Sequence, residues 1–149
     1  MTREASVEHL WTVVCRNVRT GVGGLLTLED LIDMMSVPNL PETRVGVSFD
    51  GFVVSQWRRR GDAPGCTFSQ RLCLQREDDA GSRVQLAGPD TVDVQERHLF
   101  LVVNQVPVLP LDGYAQYWFV VERDDGDGWR ESPPTAGLWI PSPEHVGRP

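Results

Sequence analysis

Residues 66–87 read CTFSQRLCLQREDDAGSRVQLA, and this stretch decides the fold. Cys66, Phe68, Leu72 and Leu74 alternate with Thr67, Ser69, Arg71 and Gln75, the period of two that a strand with one buried face requires. Asp78-Asp79-Ala80-Gly81 supplies turn chemistry, and Ser82 to Ala87 reads as a second strand. Pro89-Asp90 predicts a further turn into a strand over Thr91 to Gln95.

The same grammar extends in both directions. Val7 to Val18 is apolar on both faces, with Trp11, Val13 and Cys15 against Leu10, Val14 and Val18, which predicts a strand covered on both sides. Arg44 to Trp57 holds Val45, Val47 and Phe49, then Asp50-Gly51, then Phe52, Val53 and Val54; Asp-Gly there fits a hairpin turn or a bulge in one long strand. Arg97 to Asn104 and Tyr114 to Arg123 are apolar on both faces and read as inner strands. Asp124 to Gly128 turns into a short strand at Trp129 to Glu131, and Leu138 to Ile140 reads as the last. One helix is expected after Thr27, a good N-cap, with Glu29 and Asp30 in its first turn and Leu28, Leu31, Ile32 and Met35 on one stripe. The expected architecture is all-β: an antiparallel β-sandwich of about eight strands with one short helix, a single domain over residues 1–141, and a disordered tail at 142–149.

Length and composition narrow the function classes. A chain of 149 residues is long enough for a core that needs no disulfide or metal staple. Its 14 basic residues are all arginine and its 21 acids give a net charge of −7. Residues 1–75 balance eight arginines with eight acids, whereas residues 76–149 hold six and thirteen. That imbalance argues against general nucleic-acid or anionic-membrane binding. Apolar runs of four or five residues are too short to cross a bilayer, and MTREASVEHLWTVV places two acids before its apolar stretch, unlike a signal peptide. Cys66 and Cys73 stand seven residues apart in one strand, too far for a disulfide, so thiols and a cytoplasmic location are expected. Arginine without lysine, and twenty valines against two isoleucines, point to a G+C-rich bacterial genome.

Few residues carry chemistry. Gly21-Val22-Gly23-Gly24 lacks the spacing of a phosphate-binding loop and reads as a turn. His9, His98 and His145 form no metal-ligand pair, no serine elbow is present, and neither catalytic residues nor a cofactor or metal are expected. Trp57-Arg58-Arg59-Arg60 sets three cations beside an aromatic ring in what reads as a solvated loop; an acidic protein partner suits it better than nucleic acid. Trp129 and Trp139, in edge-like segments, join those four as candidate partner-binding residues. Asp78, Asp79, Asp124, Asp125 and Asp127 raise the alternative of a calcium-dependent site, if two acidic turns meet.

One pattern goes beyond composition. A first strand ends in a glycine turn; Leu26-Thr27-Leu28-Glu29-Asp30-Leu31-Ile32-Asp33 leads to Pro38-Asn39-Leu40-Pro41; Val102 to Pro110 runs into Leu111-Asp112-Gly113-Tyr114 and a closing strand. Over about residues 8–141 this resembles a family of small bacterial β-sandwich proteins known only as a domain of unknown function. The resemblance implies an immunoglobulin-like sandwich with no catalytic residues. The expected role is a non-catalytic protein-interaction or scaffolding module whose partner is another protein, with a homodimer through an edge strand as one form. A calcium-dependent binding module or enzyme using the acidic turns, and a nucleic-acid contact through Arg58–Arg60, stand as alternatives.

Overall fold

The alternation at 66–87 becomes an antiparallel ladder between β4 (Thr67–Arg76) and β5 (Asp79–Asp93) in the computed structural model, which describes residues 7–60, 66–94 and 99–144. β1 (Val7–Thr20), β2 (Leu26–Leu31), β3 (Val45–Arg59) and β6 (Leu99–Leu111) form one sheet in the order β2-β1-β3-β6. In the other, β5 pairs β4 and β4 pairs β7 (Ala115–Asp124). The far side of β7 carries β8 (Arg130–Glu131) at one end and β9 (Ala136–Ile140) at the other. Every ladder is antiparallel, and the two open sheets face each other as a β-sandwich.

Period-two alternation selects which side chains meet between the sheets. Val14, Phe49, Val53, Trp57, Val106, Leu109 and Leu111 from the first sheet pack with Phe68, Leu72, Leu74, Tyr117, Phe119, Val121, Leu138 and Ile140 from the second. Each such aliphatic or aromatic side chain, once buried, contributes about 1.5–3 kcal/mol. The turn before β7 is pinned from inside: the Tyr117 hydroxyl accepts from the Asp112 amide at 3.0 Å and donates to the Gly113 carbonyl at 2.7 Å. Burial pushes that phenol up to about 12, so it stays protonated.

Three expectations need correction, and one open alternative is decided. The helix after Thr27 is a strand: β2 lies along β1 with Leu28 opposite Val18 and Leu26 opposite Thr20, and Asp30 has φ 58°, outside helical geometry. A stripe of about nine residues cannot nucleate a helix alone, and the open edge of β1 offered ladder bonds instead. Helical structure among the described residues is a three-residue 3-10 turn at Val22–Gly24. Of the two readings of Asp50-Gly51, the bulge is the one found, within the single strand β3 and marked by the register shift between Ser48 and Gly51. The expected turn at Pro89-Asp90 is a kink within the single strand β5; a Cβ on Gly88, whose φ is +95°, would stand 2.9 Å from the Gln70 carbonyl. β6, read as an inner strand, is the last strand of its sheet. The 61–65 loop, His98, His145 and the tail beyond 144 lie outside the described residues.

Candidate functional site

Three of the four edges bordering the sheets are blunted. β2 is six residues long and carries Glu29 and Asp30. β5 holds Asp79, Arg83, Asp90 and Asp93, and its ladder shifts register three times. β9 is five residues long and is flanked by the 33–35 segment, which exchanges Trp139 N–H to Asp33 O at 2.9 Å and Met35 N–H to Trp139 O at 3.0 Å. β6 differs: its thirteen residues, LFLVVNQVPVLPL, contain no charge, and its prolines stand only at 107 and 110. Edge strands are ordinarily protected by charge, proline, bulges or brevity, and Leu99–Val106 has none of these.

The face beside that edge is apolar too. Leu99, Leu101 and Val103 are 49%, 38% and 40% exposed. Pairing across the sheet aligns Val103 with Val54 and Val13, and Leu101 with Gln56 and Trp11; Val54 is fully buried and Gln56 is polar, so the exposed apolar row is that of β6 itself. The alternate residues, Phe100, Val102 and Val106, turn into the core.

At the end of the sandwich where β1 begins, the interior turns polar. Trp57 is fully buried, stacked on His9 at 4.6 Å between centroids and against Phe68 at 4.8 Å. Its indole N–H donates to Gln70 Oε1 at 2.7 Å, which also accepts from Ser55 at 3.2 Å. Arg123, 2% exposed, lies over Phe68 at 4.3 Å and Trp57 at 5.5 Å. Its Nη2 and Nε donate to both oxygens of Asp125 at 2.7 and 3.1 Å, and Arg130 donates to Oδ2 at 2.7 Å. Burial pushes the Asp125 carboxyl upward, but the two guanidinium groups outweigh it and hold it below the ordinary carboxylate value.

β2 reaches only the later half of β1, so the earlier half borders the 132–134 segment. His9 Nδ1 donates to the Ser132 carbonyl at 2.6 Å, and Thr12 donates to the Pro134 carbonyl at 3.0 Å. Burial lowers the His9 pKa and outweighs its carbonyl hydrogen bonds, so the ring is neutral near pH 7. Beside it opens a polar cavity of about 300 Å³ lined by Val7, Glu8, His9, Arg60, Arg123, Ser132 and Pro133.

The sequence-derived candidates do not form one surface. Trp57 is core, not a contact residue. Arg58 and Arg59 belong to β3 and so leave the strand on opposite faces; Arg58 Nη2 donates to Glu8 Oε2 at 2.5 Å and Arg60 Nε stands 3.7 Å from the same oxygen. That Arg58 hydrogen bond holds Glu8 below the usual carboxylate range. Arg58 and Arg59 therefore stand in a strand rather than a solvated loop, and Arg58 and Arg60 are paired with Glu8. Trp129 is half-buried under the Arg71 guanidinium at 4.3 Å. Trp139 is 45% exposed, at the opposite end of β7, beside two shallow hollows of about 300 and 230 Å³ around Pro141.

The acidic turns stay apart. β4 and β7 pair from Ser69–Asp124 to Arg76–Tyr117, which places Asp78 and Asp79 at one end of the sheet and Asp124, Asp125 and Asp127 at the other. Asp78 pairs with Arg76 at 2.6 Å, Asp79 accepts from the Gly81 amide, and Asp124 accepts from the Gly126 and Gly128 amides. Among the described residues no group of three or more His, Cys, Asp or Glu is placed to hold a metal.

The second sheet has its own outer cluster. Glu122 accepts from Arg71 at 2.7 Å, Arg83 at 2.8 Å and the Cys73 thiol at 3.3 Å. Burial raises the Glu122 carboxyl, but these donors outweigh it and keep it low; burial and the adjacent carboxylate push Cys73 up to about 12, leaving it a thiol. One signal of the polar pocket was available in sequence: Arg123 interrupts an apolar inner strand, with Asp125 two residues on and therefore on the same face. Nothing comparable distinguished β6 as an edge. Comparison with protein-family models gives no match, and comparison with curated proteins gives none either.

Proposed function

We propose that this chain is a non-catalytic, cytoplasmic bacterial protein-interaction module of the immunoglobulin-like sandwich type, which associates through its β6 edge with a second copy of itself. The charge-free edge over Leu99–Val106 carries the reading. On a molecule of net charge −7, it is a long backbone edge where two copies meet without bringing like charges together. Antiparallel pairing centred on Val102 sets Leu101 of each copy opposite Val103 of the other, extends the four-stranded sheet to eight and brings together the exposed Leu99, Leu101 and Val103 of each copy. The Tyr117 hydroxyl on the Gly113 carbonyl four residues upstream supports the immunoglobulin-like assignment, because sandwiches of that type pin a strand-entry corner this way. The non-catalytic assignment is supported by the buried polar groups binding one another: His9 donates to the Ser132 carbonyl, Glu122 meets three donors and Asp125 two arginines.

Sedimentation equilibrium tests the association. The wild-type chain is expected to sediment as a dimer, and Leu101→Lys with Val103→Lys, both exposed and outward-facing, as a folded monomer. A wild-type monomer throughout the concentration range, or a dimer unaffected by the two lysines, would overturn the proposal.

A further inference from the structure

The cavity beside His9 is built from opposite chemistries that select a ligand. Among the described residues two guanidinium groups, Arg60 and Arg123, and one carboxylate, Glu8, line it beside the neutral His9 ring. The wider neighbourhood is more cationic: Arg58, Arg60, Arg123 and Arg130 surround only Glu8 and Asp125 among the acids they pair with. This occurs in a chain whose net charge is −7. Arg123 is held immobile by Phe68, Trp57 and the two-oxygen grip of Asp125, which engages Nε and Nη2. Among the described residues no acceptor is bonded to its Nη1. A guanidinium fixed in this way presents a donor at no further conformational cost. Val7 and Pro133 give the cavity apolar wall, and Arg60, 53% exposed, stands at its mouth.

We infer that this cavity is a binding site for a monocarboxylate bearing a short apolar tail. The carboxylate would bridge Arg123 inside and Arg60 at the mouth, with the tail against Val7 and Pro133. Shape decides the class: a planar carboxylate matches the flat guanidinium donors of Arg60 and Arg123, whereas a tetrahedral phosphate would set its additional anionic oxygens against the Glu8 carboxylate on the same wall. The volume, about 300 Å³, accommodates a small branched acid or the last residue of a peptide. Free acids and peptide C-termini present the same chemistry, and the experiment separates them.

Nuclear magnetic resonance titrations of the whole chain would follow the His9 ring and the Arg123 Nε–H. The probes are isobutyrate, inorganic phosphate, and an acetylated tripeptide ending in valine with a free or an amidated C-terminus. Saturable shifts at both groups are expected with isobutyrate or the free-acid peptide. Response to both marks a general carboxylate site, and response to the peptide alone marks a site for chain ends. The amidated peptide should leave both resonances in place. Arg60→Gln, at an exposed position that spares the fold, should weaken binding roughly tenfold or more by removing one charge-assisted donor. Because Arg123 variants can unfold the chain, Glu8→Gln, at a side chain one-third exposed, offers a second variant that removes the carboxylate of the wall while keeping its cations; it should tighten binding of the free acid, and unchanged or weaker binding would count against the site. Linear shifts no larger than those from chloride, tighter binding of phosphate than of isobutyrate, or unchanged affinity in Arg60→Gln would each overturn the inference.

Discussion

Removing the carboxylate of Asp125 should damage the protein more than removing the guanidinium of Arg123, although the two form one ion pair. The Arg123 and Asp125 side chains are 2% and 6% exposed, whereas Arg130, the second partner of Asp125, is 49% exposed. In Asp125→Ala the Arg123 charge stays buried between Phe68 and Trp57 with no anion on it. Breaking a buried pair in this way costs about 3–5 kcal/mol. At this chain length each kcal/mol moves Tm by roughly 2–4 °C, so a fall of roughly 6–20 °C is expected. In Arg123→Met the thioether keeps the packing against Phe68 and Asp125 retains Arg130, which limits the loss to about 1–3 kcal/mol. The double variant removes both buried charges together and should lie within about 2 kcal/mol of wild type, because a well-packed apolar replacement of a buried pair is often nearly neutral. Urea unfolding of the four proteins gives the coupling energy directly. Additive losses, with a coupling below about 0.5 kcal/mol, or a larger loss in Arg123→Met than in Asp125→Ala, would refute the reasoning.

Acid should destabilise the fold in two stages. His9 is held neutral by burial, so below its ordinary value of 6.5 the unfolded chain takes up a proton that the native chain resists, and stability falls as pH drops from 7 to 5; His9→Gln should flatten that slope in urea unfolding. Asp125 and Glu122 are held below their ordinary values of 3.8 and 4.5, so their contributions are present above those values and are lost as pH falls through the lowered native ones. Calcium should leave Tm unchanged by differential scanning fluorimetry, because Asp125 is engaged by two arginines and Asp124 by two amides; a saturable upward shift would contradict that assignment. Gly88→Ala should cost at least about 1 kcal/mol, since its Cβ would stand 2.9 Å from the Gln70 carbonyl at a positive φ, measured as a lowered urea midpoint at constant m.

The sandwich was legible because alternation at 66–75 records a buried face directly, and the short apolar strands elsewhere are separated by turn residues. The error at Thr27–Met35 arose because Leu28, Leu31, Ile32 and Met35 satisfy a helical stripe by spacing alone, while the ladder along β1 that overrode it depends on a strand distant from the capping residues. β6 shows a different limit. A run apolar on both faces implies cover on both faces, and in β6 one face is the core while the other is exposed sheet, a difference that only a strand order reveals. The polar pocket was half legible: Arg123 and Asp125 share a face by spacing, but His9 and Ser132 meet across 123 residues, which no local pattern encodes. Trp57 was placed at a surface because three arginines follow it, yet alternation in β3 sends the indole inward beside Val53 and Ser55.

Self-association through β6 is tested most directly by amide hydrogen exchange across Leu99–Val106, measured at rising protein concentration. Free-edge amides of β6 should exchange rapidly in dilute solution and become protected as concentration rises, with Leu101→Lys and Val103→Lys together abolishing the change while the β4 and β7 amides stay protected throughout. Exchange in β6 that is identical at every concentration, in a chain whose β4 and β7 remain protected, would contradict edge pairing between two copies.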